Sequence, residues 1–270
     1  HGHGSNVTGI IGAIANNNSL FTGGNWNSKI MPLKVLNSTN SGTYAAMANS
    51  IFYAVDKGAK VISMSSGGSG TSDLLSDAMA YMNVNNVVFT VCMMNFNTDQ
   101  TYYPAGYSTS YPNIIAVGAT NPNDQRTAPF FWSATSGSSY GNHINVVAPG
   151  NFIYGLSNTS NTSSSSYWGG TSQATPLVAS IASLMLAHNP NLSPNQVREI
   201  LQNTAQDQVG NPTEDVAGFD QYMGHGRVNA YAALQQTLGL DTPDLAVVPH
   251  LKMINPVQGN QLGVIADGTF

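Results

Sequence analysis

"GGTSQATPLVASIASLMLAH", residues 169–188, decides how this chain is to be read. Two glycines lead into a Thr-Ser pair, and the apolar residues behind it point almost all round a helical wheel, the mark of a buried helix. Such a helix needs other layers to cover it. Ser172 falls at its start. The free N–H groups and positive dipole end there favour negative charge developing beside a serine hydroxyl, and Gly169 and Gly170 let another group approach the backbone closely. The same position also suits a plain helix cap, the ordinary use of Ser or Thr at a helix start. Pro176 fits both readings, since in the first turns it is expected to cost no helical hydrogen bond.

Upstream of this helix, strand and helix patterns alternate. "GSNVTGIIGAIANN" (4–17) repeats apolar residues at helical spacing, and "KIMPLKVL" (29–36) reads as a buried strand. "TYAAMANSIFYAVDKGA" (43–59) is an Ala-rich helix with Gly58 as its C-terminal cap. "KVISMSS" is the next strand, "SDLLSDAMAYMNV" the next helix, and "NVVFTVCMM" (86–94) a strand rich in β-branched residues. "NIIAVGAT" and "INVVAPG" follow as short strands. Beyond the buried helix, Ser193, Pro194 and Gln196 make a capping box that starts "NQVREILQNT". The order predicts an α/β fold: a three-layer αβα arrangement around a mostly parallel central sheet, with its chemistry at the carboxyl ends of the strands. "SNTSNTSSSSYWGG" (157–170) reads as a surface loop feeding the serine turn. Past Leu240 the periodicity fails, so residues 1–240 form one domain and 241–270 a linker or the start of a further module.

Composition narrows the function. Charged residues are 8% of the chain, against about 25% in an average soluble protein, and the net charge is −5. Eight Lys and Arg give no basic stripe for nucleic acid, and no apolar run approaches the ~20 residues of a membrane span. A single cysteine, Cys92, excludes an internal disulfide framework and a Cys-rich zinc site. It reads as a small buried core residue. The uncharged, hydroxyl-rich composition and the start on His rather than Met suit a secreted or cell-surface protein, processed or cut upstream.

Three stretches carry a resemblance. "HGSNVTGIIGA" (3–13) resembles the H-G-T-x-V-A-G motif of subtilisin-like serine proteases, the subtilases. "GTSQATP" (170–176) resembles their G-T-S-M-A-T/S-P motif, with Gln173 for Met. "VVFTVCMMN" (87–95) lies where the family has a strand ending A-A-G-N, and ordered matches continue through "VVAPG" and "GHGRVNAYAAL". The resemblance implies a serine endopeptidase in which Ser172 is the nucleophile and His3 the general base. Asn95 would hold the oxyanion. It implies that Ser65, Ser66 and Gly67 on one side, and Ser41 and Gly42 on the other, pair with an extended polypeptide substrate by β-augmentation. It implies no cofactor for the chemistry and no catalytic metal. Structural calcium and a propeptide partner are family features, although "NNNSL" (16–20), where one calcium site often falls, has no carboxylate. Met94 replaces the family's glycine and puts the pocket preference in question.

Other readings stand beside this one. His188 reads as a partner for the helix dipole and His225 as part of a glycine turn, while His143 and His250 have no supporting context. A free amine at His1 with the His3 ring could form a square-planar Cu(II) or Ni(II) site. The triad's Asp should lie in a D-[ST]-G motif before the histidine, where residues 1 and 2 leave no room. Truncation upstream is expected, with the first strand missing from the sheet. Asp267 in "GVIADGTF" would be a stand-in only if the chain were circularly permuted. Residues 1–270 alone should then cleave peptides feebly or not at all, since loss of the Asp costs about 3 × 10⁴ in turnover in subtilisin, the source of that figure. The contrasting function is a pseudoprotease that binds peptides without cutting them.

Overall fold

Apolar residues of four short runs build the centre of the molecule. The computed structural model describes residues 2–18, 21–158 and 165–239. Val61–Met64 (β1), Val88–Cys92 (β2), Ile114–Thr120 (β3) and Val146–Pro149 (β4) form one sheet in the order β1-β2-β3-β4. All three pairings are parallel, with Val61 opposite Val88, Phe89 opposite Ile114 and Val117 opposite Val146. β2 and β3 are buried along their whole length, as both faces of a covered parallel sheet require. β1 forms one edge, with its first three residues half-buried.

The two faces can be read off the strand alternation. Phe89, Val91, Ile114 and Ala116 point into a cluster with Met47, Ile51, Leu75, Met79 and Met82, which come from α2 (Tyr44–Asp56) and α3 (Asp73–Val84). Val88, Ile115, Val117 and Ala119 point the other way. There they meet Ala174, Val178, Met185, Val197, Leu201 and Ala233 of α4 (Thr171–His188), α5 (Pro194–Asn203) and α6 (Ala230–Thr237). The result is the expected three layers. α4 lies against all four strands, and α1 (His3–Gly12) packs on α4. The Ser193 capping box is present, and Gly58 takes φ +81 just past α2, as a C-terminal cap needs.

Two sequence expectations are corrected. Residues 29–36 are not a buried strand: no ladder partner joins them among the described residues, and Ile30, Met31 and Leu33 are exposed. Apolar patterning sets which faces a strand would show, but pairing comes from a distant neighbour that a local pattern cannot reveal. The stretch 157–170 is not simply a loop either. Ser165–Trp168 (β6) pairs antiparallel with Ile153–Leu156 (β5), with Tyr154 opposite Tyr167. α1 is also shorter than its apolar pattern, ending where Ala13 turns to extended geometry at ψ 140. His1, His250, Asp267 and the segment 241–270 lie outside the described residues. So do the Cu(II) or Ni(II) reading at the amino terminus, the permutation reading and the reading of a following module.

Candidate active site

The strand ends and the start of α4 converge, as the parallel sheet predicts. α4 begins after Gly170, and no side chain caps it. Capping is therefore not the use of Ser172. From Thr171 to Pro176, five residues are buried and Ser172 alone is half-exposed. Gly170 takes φ +157, a conformation that favours glycine, and a Cβ there would also press on Asn95 Nδ2 at 3.1 Å and Gln173 Oε1 at 3.0 Å.

Asn95 reaches this turn from the end of β2. Its Oδ1 accepts from the Thr171 amide (2.9 Å) and the Thr171 hydroxyl (3.0 Å). With the carbonyl end so anchored, the amide NH₂ is held beside Gly170, two residues before Ser172. Two N–H donors that converge on one point can stabilise an oxyanion. Thr171, which beside Ser172 also suited a helix cap, instead anchors Asn95, a part that depends on the fold bringing Asn95 across.

Ser65 comes from the end of β1, and its hydroxyl donates to the Ser172 carbonyl at 2.9 Å. Pro176 explains why that carbonyl is available. Proline has no N–H to give the carbonyl four residues before it, so Ser172 C=O lacks its helical donor and Ser65 supplies one. The expectation that Pro176 costs no helical bond is thus corrected. Beyond Ser65 and Ser66, Gly68 makes an antiparallel bridge with Tyr103 through N–H···O contacts of 2.9 and 2.8 Å. The Tyr44 hydroxyl accepts from the Gly70 amide at 3.1 Å, which brings the exposed Ser41-Gly42 segment just before Tyr44 to the same side as residues 65–70.

His3 opens α1. The link between α1 and the serine turn is a buried pair that the sequence did not flag: Gln173 Nε2 donates to Asn6 Oδ1 at 2.9 Å, and Asn6 Nδ2 donates to the Leu156 carbonyl at 3.1 Å. Asn6 is wholly buried. His3 lies one turn before Asn6 on the same helix face, so the pair ties the helix that carries His3 to the turn that carries Ser172. Gln173 in place of the family's Met was the visible signal. Burial lowers the His3 pKa below its ordinary 6.5.

The other candidates separate cleanly from this group. Burial raises the Cys92 thiol pKa to about 11, so it is no thiolate nucleophile. His143 is buried with its pKa lowered, and its Nε2 finds no partner among the described residues. The His225 amide donates to Asn145 and its ring packs on Phe219, in keeping with a structural turn. His188 closes the last turn of α4. Among the described residues no three His, Cys, Asp or Glu side chains cluster as metal ligands. Asn16–Asn18 offer amides but no carboxylate, a poor donor set for calcium. Several acids are committed elsewhere: Asp56 to Tyr81, Asp124 to Arg227, Asp207 to the Gly218 amide, Asp215 to Gly210 and Glu214 to Arg126.

That last pair supports the Asn95 loop. Arg126 bonds Glu214 at 2.7 and 3.2 Å, Asn97 Oδ1 at 2.9 Å and the Ser138 carbonyl at 2.8 Å. Its guanidinium lies over Tyr140 and Tyr222. Arg126→Met should destabilise the fold by about 3–5 kcal/mol, because Glu214 and the carbonyl lose a buried partner. Urea unfolding measures this, and a loss below about 1 kcal/mol would contradict the role given to Arg126.

The subtilase family model matches residues 1–226, which include every residue of this constellation. The chain belongs to the subtilase family. It is 37% identical over 235 residues to thermitase of Thermoactinomyces vulgaris, covering 87% of this chain and 75% of thermitase. Subtilisin DY of Bacillus licheniformis is 35% identical, with 87% and 78% covered. The cell wall-associated protease of Bacillus subtilis is 38% identical over 250 residues, which are 86% of this chain but 26% of that protein. A solved structure, a serine-to-alanine mutant of the protease domain of PatA, superposes with TM-score 0.72 at 23% identity, covering 89% of this chain and 82% of that one. That likeness bears on the fold alone. As a subtilase, the chain is a serine-type endopeptidase whose family chemistry needs no cofactor. No helix among the described residues is long and apolar enough to cross a membrane.

Proposed function

We propose that peptide hydrolysis by this subtilase runs through Ser172, His3 and Asn95. Ser172 Oγ attacks the scissile carbonyl while His3 takes its proton and later returns it to the leaving amine. The Asn95 amide NH₂ and the Ser172 N–H receive the oxyanion. The substrate lies extended between Ser41-Gly42 and Ser65-Ser66-Gly67, its backbone pairing with both. The observation that carries this reading is the anchoring of Asn95 by Thr171, which leaves the amide donors beside the nucleophile turn. The domain spans residues 1–240 and acts outside the cell or at its surface, a reading supported by the charge-poor composition and the cell wall-associated relative. A fluorophosphonate probe tests the chemistry: labelling lost in Ser172→Ala supports it, whereas a wild-type chain that stays unlabelled while binding peptides points to a scaffold that does not cut.

The pH profile follows from His3. The base works only when neutral, so kcat/KM falls as pH drops through its pKa. Burial disfavours the imidazolium and lowers that pKa, which puts the midpoint of the acid limb below 6.5. A carboxylate paired with the ring would act in the opposite sense. A measured midpoint above about 7 would therefore mean that an acid partner outweighs burial.

A further inference from the structure

Met94 has a backbone conformation that belongs to glycine. Its φ is +71, in the left-handed region that side chains other than Asn and Asp rarely enter. The conformation is held from outside, because the Met94 carbonyl accepts from the Ser139 amide at 3.0 Å and the next residue, Asn95, is tied to Thr171. An outlier of this kind beside a reactive serine invites a functional account.

The thioether has a definite place. Met94 Sδ lies 3.7 Å from Cys92 Sγ, and a Cβ built on Gly67 would stand 3.4 Å from that sulfur and 2.7 Å from the Tyr103 carbonyl oxygen. Met94 thus faces Gly67, the last of the three residues on one side of the proposed substrate strand. A carbonyl held between the Asn95 amide and the Ser172 N–H, on a strand running along Ser65–Gly67, must send its side chain toward the space between Gly67 and residue 94. The Met94 sulfur borders that space. We propose that Met94 sets the acyl-side specificity of this protease, admitting glycine, alanine or serine at the attacked carbonyl and rejecting long apolar and aromatic side chains. The proposal rests on the assignment of Ser172 and Asn95 above and names the substrate class of that site.

The magnitude follows from pocket discrimination. A single surplus methylene costs a tight apolar pocket about 10–200-fold, and phenylalanine exceeds alanine by a whole ring. The test measures binding by calorimetry on the Ser172→Ala protein, so that nothing is hydrolysed. Two tetrapeptides are used, identical except for a C-terminal alanine or phenylalanine. The alanine peptide should bind at least about tenfold tighter, and Met94→Gly in the same background should raise phenylalanine-peptide affinity by about tenfold or more. Met94→Ala separates two causes. It keeps the left-handed strain but clears the space, and it should relax the preference nearly as far as glycine. Equal binding of both peptides, or a preference unchanged by either substitution, overturns the proposal. If Ser172 is labelled by fluorophosphonate in the parent yet the preference is absent, only the Met94 assignment falls. If the serine is not labelled and neither peptide binds, the active-site reading falls and takes this inference with it.

Discussion

Ser172→Ala should abolish fluorophosphonate labelling and lower peptide turnover by about 2 × 10⁶ in protein whose triad is complete, a magnitude carried over from subtilisin, the family's namesake. The physical reason is that nucleophile and base act as one unit. Without the hydroxyl there is nothing for His3 to deprotonate, and without His3 the protonated hydroxyl is too weak a nucleophile to attack. His3→Ala should therefore cost about as much, and the double variant no more than either single. Additive losses in the double would show that the two residues work independently, against the proposed mechanism. The size of the drop carries a second message. Where the acid is lacking, turnover already starts about 3 × 10⁴ lower, so the same Ser172→Ala change removes only about a further hundredfold. Turnover of the chain and of Ser172→Ala, measured side by side, thus reads whether His3 has a carboxylate partner.

Asn95→Leu should lower kcat by about 10²–10³ with little change in KM, again the scale known from subtilisin's own oxyanion asparagine. Leucine has a similar shape but offers no donor to the oxyanion and no acceptor to Thr171. The charge it fails to stabilise develops only in the transition state, so ground-state binding is spared. Thr171→Val provides the control. It removes one of the two anchors of Asn95 while keeping the donor, and it should cost less than Asn95→Leu. A rise in KM with kcat unchanged in Asn95→Leu would assign Asn95 to substrate binding instead.

Much of this could be read in advance because local signals and fold agreed. The all-round apolar pattern of residues 171–188 is a helix buried over most of its length, and the Ser193–Gln196 box is formed as its residue types demand. Residues 29–36 show the opposite case. Their apolar and β-branched content is real, yet whether such a run becomes a strand depends on a partner far away in sequence. Ser165–Trp168 was masked by its hydroxyl-rich surroundings, although Tyr167 and Trp168 give it strand character. In the candidate site, the residues proposed for the chemistry, Ser172, His3 and Asn95, are ones that the sequence motifs already pick out. Their supports are not so marked. Thr171, Asn6 and the role of Pro176 matter only through what folds against them, and that information is tertiary.

A protease is surrounded by its own most abundant substrate, which is other copies of itself. A bond is cut only when its segment can open and extend, and segments open locally when few buried contacts hold them. α4 touches every strand of the sheet and is buried over most of its length. It can leave its place only when the sheet does, so access to its peptide bonds is governed by the stability of the entire domain. The helix that bears Ser172 is thereby among the segments least open to being cut.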